Sequence, residues 1–432
     1  MVLQQSSEVT LWGWCSPMED INIHTSWDNL DYKAKGKNDA KWSVKIKTPI
    51  TGGPYRITII GNNKIDLEDV MIGEVWLCSG QSNMALSAAS GIKQAVDEIP
   101  HANNNQIRLF YVEKSTADSP QEDCHGHWVV CNPEDFKRFS AVGYFFGKKL
   151  QENLHCPVGL IDAAWEGTSA EDWMQAELVE KDSTLQQAMS KVWKSDEWWP
   201  SKPGVCYNAM INPIIHYKIA GTIWYQGESN SDASSSYQQL FSTLMSSWRK
   251  VWRQEFPFYY VQIAPYSGYA ANDAGARLRE AQSKCMTMPH TGMVVTYDLI
   301  DDVNEIHPQN KRDVGFRLAN YALGDSYHIA GISYKSPVYR SMKAERNKIK
   351  LFFNNTDGGL ISRGDSPTEF FIAGADRNFL PAIAKIEGNS VIIYSPKIKN
   401  PIAVRFGFSN AAIPNLFSKA GLPVNTFRTD NW

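Results

Sequence analysis

The sequence predicts an α/β protein: a central three-layer domain with a mostly parallel sheet, flanked in sequence by β-rich, sandwich-like regions. Three observations predict it. Between about 73 and 330, short apolar strand candidates alternate with helical ones, the order that winds a parallel sheet. Before and after that stretch, short runs of alternating polarity are broken by Gly, Pro, Asn and Asp, and no helical period survives. Four of the five central strand candidates also run directly into polar, Gly-containing or acidic segments. That is where an open α/β sheet gathers its ligands.

In chain order, Glu8–Trp14, Ile21–Thr25, Trp42–Lys47 and Tyr55–Ile60 read as strands of a small domain spanning 1–72. From 73 to 330 the strand candidates are Val75–Cys78, Val158–Ala164, Gly221–Tyr225, Phe258–Ile263 and Met293–Asp298. The helical candidates are Ala141–Leu154, Leu185–Trp193, Tyr237–Trp252 and Ala276–Met286. A third region, 331–432, returns to β texture with Lys348–Phe353, Phe370–Ala373, Val391–Tyr394 and Ile402–Phe406. A chain of 432 residues exceeds one ordinary core, so two or three domains are expected.

Composition narrows the class. The chain is 43% hydrophobic and 21% charged, as in soluble globular proteins. A net charge of −3 gives no reason to expect nucleic acid or an anionic membrane as partner. No apolar run approaches the roughly 20 residues that span a bilayer. Nothing at the amino terminus resembles a signal peptide, and Met1-Val-Leu-Gln reads as the start of a strand, as if an upstream segment had been removed. Seven cysteines (15, 78, 124, 131, 156, 206 and 285) form no CxxC or Cys/His spacing that suggests zinc. Their odd number allows at most a partial disulfide set, with Cys124–Cys131 the closest pair. Fifteen tryptophans and eighteen tyrosines suit a carbohydrate cleft, although core packing accounts for most of them equally well.

Four islands inside the central region can carry chemistry. Gly80-Gln81-Ser82-Asn83-Met84 follows the first strand, and Ala164-Trp165-Glu166-Gly167-Thr168 follows the second. Trp224-Tyr225-Gln226-Gly227-Glu228-Ser229-Asn230 closes a third, and 298–308 follows the last, ending in Glu305-Ile306-His307-Pro308. Acyl transfer needs a nucleophile, a base and donors aimed at the developing oxyanion. Ser82 fits the first role and His307 the second. The N–H groups of Ser82 and Gly167 fit the third, with a side-chain amide from Gln226 or Asn230. Taken singly, each has a plainer account. His307 reads as a capped loop histidine, Gly167-Thr168 as turn chemistry, Glu228 as a buried structural carboxylate, and 298–305 as a solvated acidic loop. The case rests on all four falling at strand ends of one sheet.

Gly-Gln-Ser-Asn-Met, Trp-Tyr-Gln-Gly-Glu-Ser-Asn and Ile-His-Pro-Gln-Asn-Lys resemble the sialate O-acetylesterase family of the SGNH-hydrolase superfamily. Leu11-Trp-Gly-Trp14 and Gly421–Asp430 extend the resemblance toward both ends. It implies an SGNH-hydrolase catalytic domain and a serine esterase that removes O-acetyl groups from carbohydrate, sialic acid first. It also implies no metal or organic cofactor and a secreted, periplasmic or lysosomal location. An acetyl-xylan or other polysaccharide acetylesterase is the alternative activity, and a decayed carbohydrate-binding protein the alternative class; the residues set no oligomeric state. Three departures stand out. Glu166 precedes Gly167 where two glycines are usual. The Gly-x-Asn block is stretched to Gly227–Asn230, which favours Gln226 as the amide donor. Asn304 occupies the usual place of the acid that orients the histidine. Glu305, Asp302, Asp298 or a backbone carbonyl must then hold His307. Glu305 is favoured because residues two apart in an extended segment leave the same face.

Overall fold

The computed structural model describes residues 1–192, 199–271 and 273–432. Its centre is a mixed sheet of seven strands. In spatial order these are Thr291–Val294, Phe258–Val261, Gly221–Tyr225, Lys64–Gly80, Val158–Ala164, Asn104–Tyr111 and Trp128–Cys131. The first six run parallel, and the edge strand Trp128–Cys131 is antiparallel. Helices Ala141–Leu154 and Lys311–Asp325 cover one face, with Ser234–Trp252 and Ala274–Cys285 on the other. The middle strand shows why its sequence is apolar without a break. Val75 and Leu77 enter one core while Trp76 and Cys78 enter the other, so alternate side chains are buried on both sides.

That strand is 17 residues long, and it begins in the amino-terminal region. Its first half pairs antiparallel with Gly52–Ile60 and its middle pairs parallel with Val2–Gln4, while its second half forms the axis of the central sheet. It therefore runs straight through position 72. The other amino-terminal strands, with Ile23, Trp42, Ile46 and Ile57 in their own core, hang from this shared element. Residues 331–432 build two four-stranded sheets and a two-stranded one over a separate core. They are fixed to the central region by Arg428 against Glu280 at 2.9 Å and by Asn410 and Asn425 against helix Ala274–Cys285.

Most expected elements appear within a few residues of their anticipated ends, and helix Ala141–Leu154 and strands Val158–Ala164 and Gly221–Tyr225 match to the residue. The helix anticipated at Leu185–Trp193 spans Ser183–Met189, and Trp193 lies outside the described residues. The anticipated strand Met293–Asp298 stops at Val294, and Asp298 belongs to a short 3₁₀ turn. The sequence reading lacked the strand Asn104–Tyr111 and the helix Lys311–Asp325. All seven cysteines are free, so the Cys124–Cys131 pairing allowed by proximity in sequence is not made. Among the described residues no helix is long and apolar enough to cross a membrane.

Candidate active site

The long strand ends at Gly80, and a short helix starts at Ser82. Gly80 has φ +138°, and a Cβ there would lie 2.2 Å from the Tyr225 carbonyl on the neighbouring strand. Only glycine lets the chain leave the sheet so close to its neighbour. Gln81 ties this turn sideways, its Oε1 accepting from the N–H groups of Gly227 and Ser229 at 3.3 Å each. Ser82 is buried, with its Oγ 3.0 Å from Nε2 of His307. With the ring proton on Nδ1, the hydroxyl donates to Nε2, the contact that a nucleophile and its base require. Burial and the nearby charge of Lys311 hold the imidazole pKa below its ordinary value, so the neutral base dominates near pH 7.

The acids near this histidine separate cleanly. Glu305 Oε1 lies 3.5 Å from Nδ1 of His307, an ion-pair separation longer than a good hydrogen bond, and the same oxygen accepts from the His307 backbone N–H at 2.8 Å. Asp302 instead accepts from the backbone and side chain of Asn304. Asp298 is gripped by Arg317 through two contacts of 2.7 Å. Of the three candidates, only Glu305 faces the ring.

The turn after strand Val158–Ala164 brings Gly167 alongside. Its φ is +73°, and a Cβ there would press within 2.6 Å of the Trp199 ring. Ser229 Oγ donates to its carbonyl at 3.1 Å, and neither the Ser82 nor the Gly167 N–H meets an acceptor among the described residues. Glu166, the acid that breaks the usual pattern, turns to Lys114 at 2.6 Å. Gln226, anticipated as the amide donor, is fully buried. Its Nε2 donates to Asn230 Oδ1 at 2.7 Å and, weakly, to Thr168 O at 3.4 Å. Asn230 in turn donates to the buried Glu171.

A sialic acid-specific acetylesterase model, a carbohydrate esterase family, matches residues 72–324, which contain all of these groups. The chain belongs to that family. Sialate O-acetylesterases of Homo sapiens and Pongo abelii are each 29% identical to it, over 78% of this chain and 71% of theirs. A solved carbohydrate acetylesterase from Xanthomonas citri is 34% identical, with a TM-score of 0.91 over 100% of this chain and 97% of that one. The protein is accordingly a carboxylic ester hydrolase directed at O-acetylated carbohydrate.

Beneath the surface of this carbohydrate esterase lies a network that residue-by-residue inspection missed. Asn83 Nδ2 donates to Glu228 Oε1 at 2.6 Å and to the Ile306 carbonyl at 3.1 Å, while Lys311 Nζ donates to Asn83 Oδ1. All three side chains are buried. Burial lowers the Lys311 pKa to about 7 and raises that of Glu228, while each group's charge partly offsets the other's penalty. The network joins the residue after Ser82 to the residue before His307. The one signal that could have found it depends on the helix that the sequence reading lacked: Lys311 opens it, where a cation opposes the helix dipole and needs another reason to be there. Among the described residues, no cluster of three or more His, Cys, Asp or Glu is placed to hold a metal ion.

Proposed function

We propose that this esterase works by an SGNH-type serine mechanism in which Ser82 attacks the acetyl carbonyl as its proton passes to Nε2 of His307. The tetrahedral oxyanion lies against the N–H groups of Ser82 and Gly167. Gln226 becomes a third donor once its amide leaves Thr168. Collapse expels the sugar alkoxide, which takes the proton from His307, and leaves an acetyl-Ser82 ester. A water then gives a proton to His307 and attacks that ester, and acetate departs as Ser82 regains its proton. Glu305 steadies the imidazolium that forms in both halves.

The observation that carries this reading is the 3.0 Å contact between Ser82 and His307, because a decayed binding protein has no need of it. For the substrate we propose O-acetylated sialic acid, in line with the two sialate O-acetylesterase relatives. A second reading is deacetylation of another carbohydrate, such as xylan; the Xanthomonas structure, of higher identity and nearly full coverage, is described only as a carbohydrate acetylesterase and fits either substrate. We also propose the division 1–72, 73–330 and 331–432, the first two joined through one strand, and a secreted or periplasmic location. Acetate release from a panel of O-acetylated sialic acids and from acetylated xylan, with Ser82→Ala as blank, decides between the substrates. A wild-type protein that releases acetate from neither, nor from p-nitrophenyl acetate, would refute the reading.

A further inference from the structure

The motif Leu11-Trp-Gly-Trp14 plays no part in the ester chemistry, yet its Trp12, Gly13 and Trp14 line a second cleft of about 340 Å³, within the ~300–1,000 Å³ of small-ligand pockets. Strands Glu8–Trp14 and Lys41–Lys47 pair so that Trp12 sits opposite Ser43 and Trp14 opposite Lys41, which puts these four side chains on one face. Asn212, Pro213 and His216 of the catalytic region form the opposing wall. Trp12 meets the His216 ring edge-on at 5.7 Å, and Lys41 pairs with Glu122, so the two walls are tied together. These wall residues precede strand Gly221–Tyr225 at its amino end, whereas Ser82, Gly167 and His307 lie beyond the carboxyl ends. The two clefts therefore lie at opposite ends of the sheet.

Trp14 is the anomaly. It is 54% exposed, while Trp42 on the adjacent strand is buried over Gly13. An indole left half bare at a cleft mouth offers a flat apolar face with polar groups around it. Asp39, Glu122 and Asn212 can bond hydroxyls. Lys37 and Lys41 balance the two carboxylates, so the cleft exerts no net pull on an anion. A flat apolar face, hydroxyl partners and balanced charge together describe a neutral pyranose.

We propose that this cleft is a non-catalytic binding site for the neutral sugar chain of a glycan, with Trp14 as its stacking platform. The choice of ligand rests on the carbohydrate-esterase reading, but the test does not depend on turnover. Unacetylated xylohexaose, cellohexaose and lactose are titrated into wild-type protein and Trp14→Ala by calorimetry, with p-nitrophenyl acetate hydrolysis measured on both. We expect at least one sugar to bind the wild type, the variant to bind it at least ~10-fold more weakly, and hydrolysis to be unchanged. A sugar that bound only in the catalytic cleft would keep its affinity in Trp14→Ala, which would overturn the proposal. So would a wild type that binds none of the three, or a concentration-dependent dimer that Trp14→Ala abolishes. Loss of p-nitrophenyl acetate hydrolysis in the wild type would instead refute the esterase mechanism and leave the sugar titration to be judged on its own.

Discussion

Ser82 sits two residues past the end of a 17-residue strand whose second half is sealed on both faces, whereas the His307 side chain is 37% exposed in a loop beyond the sheet. The serine is placed by backbone, through parallel pairing on both sides and a glycine turn pressed against Tyr225. The histidine is placed by side chains. Asn83 grips the carbonyl before it, and half-exposed Glu305 bonds its N–H. Asn83 itself belongs to the Ser82 turn, so the loop-borne histidine is registered on the strand-borne serine. Damage to the serine side should therefore be absolute, and damage to the histidine side graded.

The largest expected effect is at Ser82. Ser82→Ala should lower kcat on the order of 10⁶-fold, as for nucleophiles in comparable serine hydrolases, with an unchanged circular dichroism spectrum. Folded Ser82→Ala protein that still releases acetate at near the wild-type rate would end the serine mechanism.

Next comes the buried link. Lys311→Met removes one partner of a buried charged network, a change that costs about 3–5 kcal/mol in such settings, read by urea denaturation at pH 7. It should also slow turnover, because Asn83 is then free to release the Ile306 carbonyl. Glu228 has a raised pKa in the folded state, so the cost of its unpaired charge is complete above that pKa and fades as pH falls through it. The stability deficit should accordingly shrink in acid; a deficit that stays flat or grows would show that Glu228 is not the stranded group.

Glu305→Gln sharpens the comparison further. A buried orienting aspartate can be worth ~10⁴ in rate, but Glu305 is 50% exposed and 3.5 Å from the ring. A loss of about 10-fold in kcat is expected, below the ~10²–10⁴ that a direct acid–base group contributes. No loss at all would leave Ser82 and His307 as a dyad.

The smallest effect is a shift rather than a loss. Activity needs neutral His307, so kcat/KM should fall as pH drops through a pKa below the usual ~6.5. The Lys311 charge helps depress that pKa and Glu305 opposes it. The acid limb should therefore move to higher pH in Lys311→Met and to lower pH in Glu305→Gln. Movement in the reverse sense in either variant would contradict these electrostatics.

Much of this site was legible in residue types and local order. Val75–Cys78, Val158–Ala164 and Gly221–Tyr225 are apolar runs ending in glycine-containing turns, and local propensity reports such boundaries well. The orienting acid was legible as three candidates, with Glu305 favoured only on spacing. Asp298, Asp302 and Glu305 are chemically equivalent in a string of letters, and Arg317 and Asn304 withdraw two of them through contacts made in the folded chain. Gln226 shows the same limit: its type suits an oxyanion donor, but its hydrogens are directed to Asn230 and Thr168.

By itself, then, the sequence determined the alternation of strands and helices, the β character of both ends, and the choice of Ser82 and His307 as the proposed nucleophile and base. These follow from periodicity, turn chemistry and motif, which act over a few residues. Only the tertiary structure decided that one strand joins the amino-terminal region to the catalytic sheet, that Glu305 rather than its neighbours faces the imidazole, and that Asn83, Glu228 and Lys311 form one buried network. Those outcomes depend on partners 145 and 228 residues apart in the chain for Asn83 alone. Contacts at such separations arise when side chains seek partners during burial, because a buried charge left alone costs more than the chain spends in bringing its partner to it.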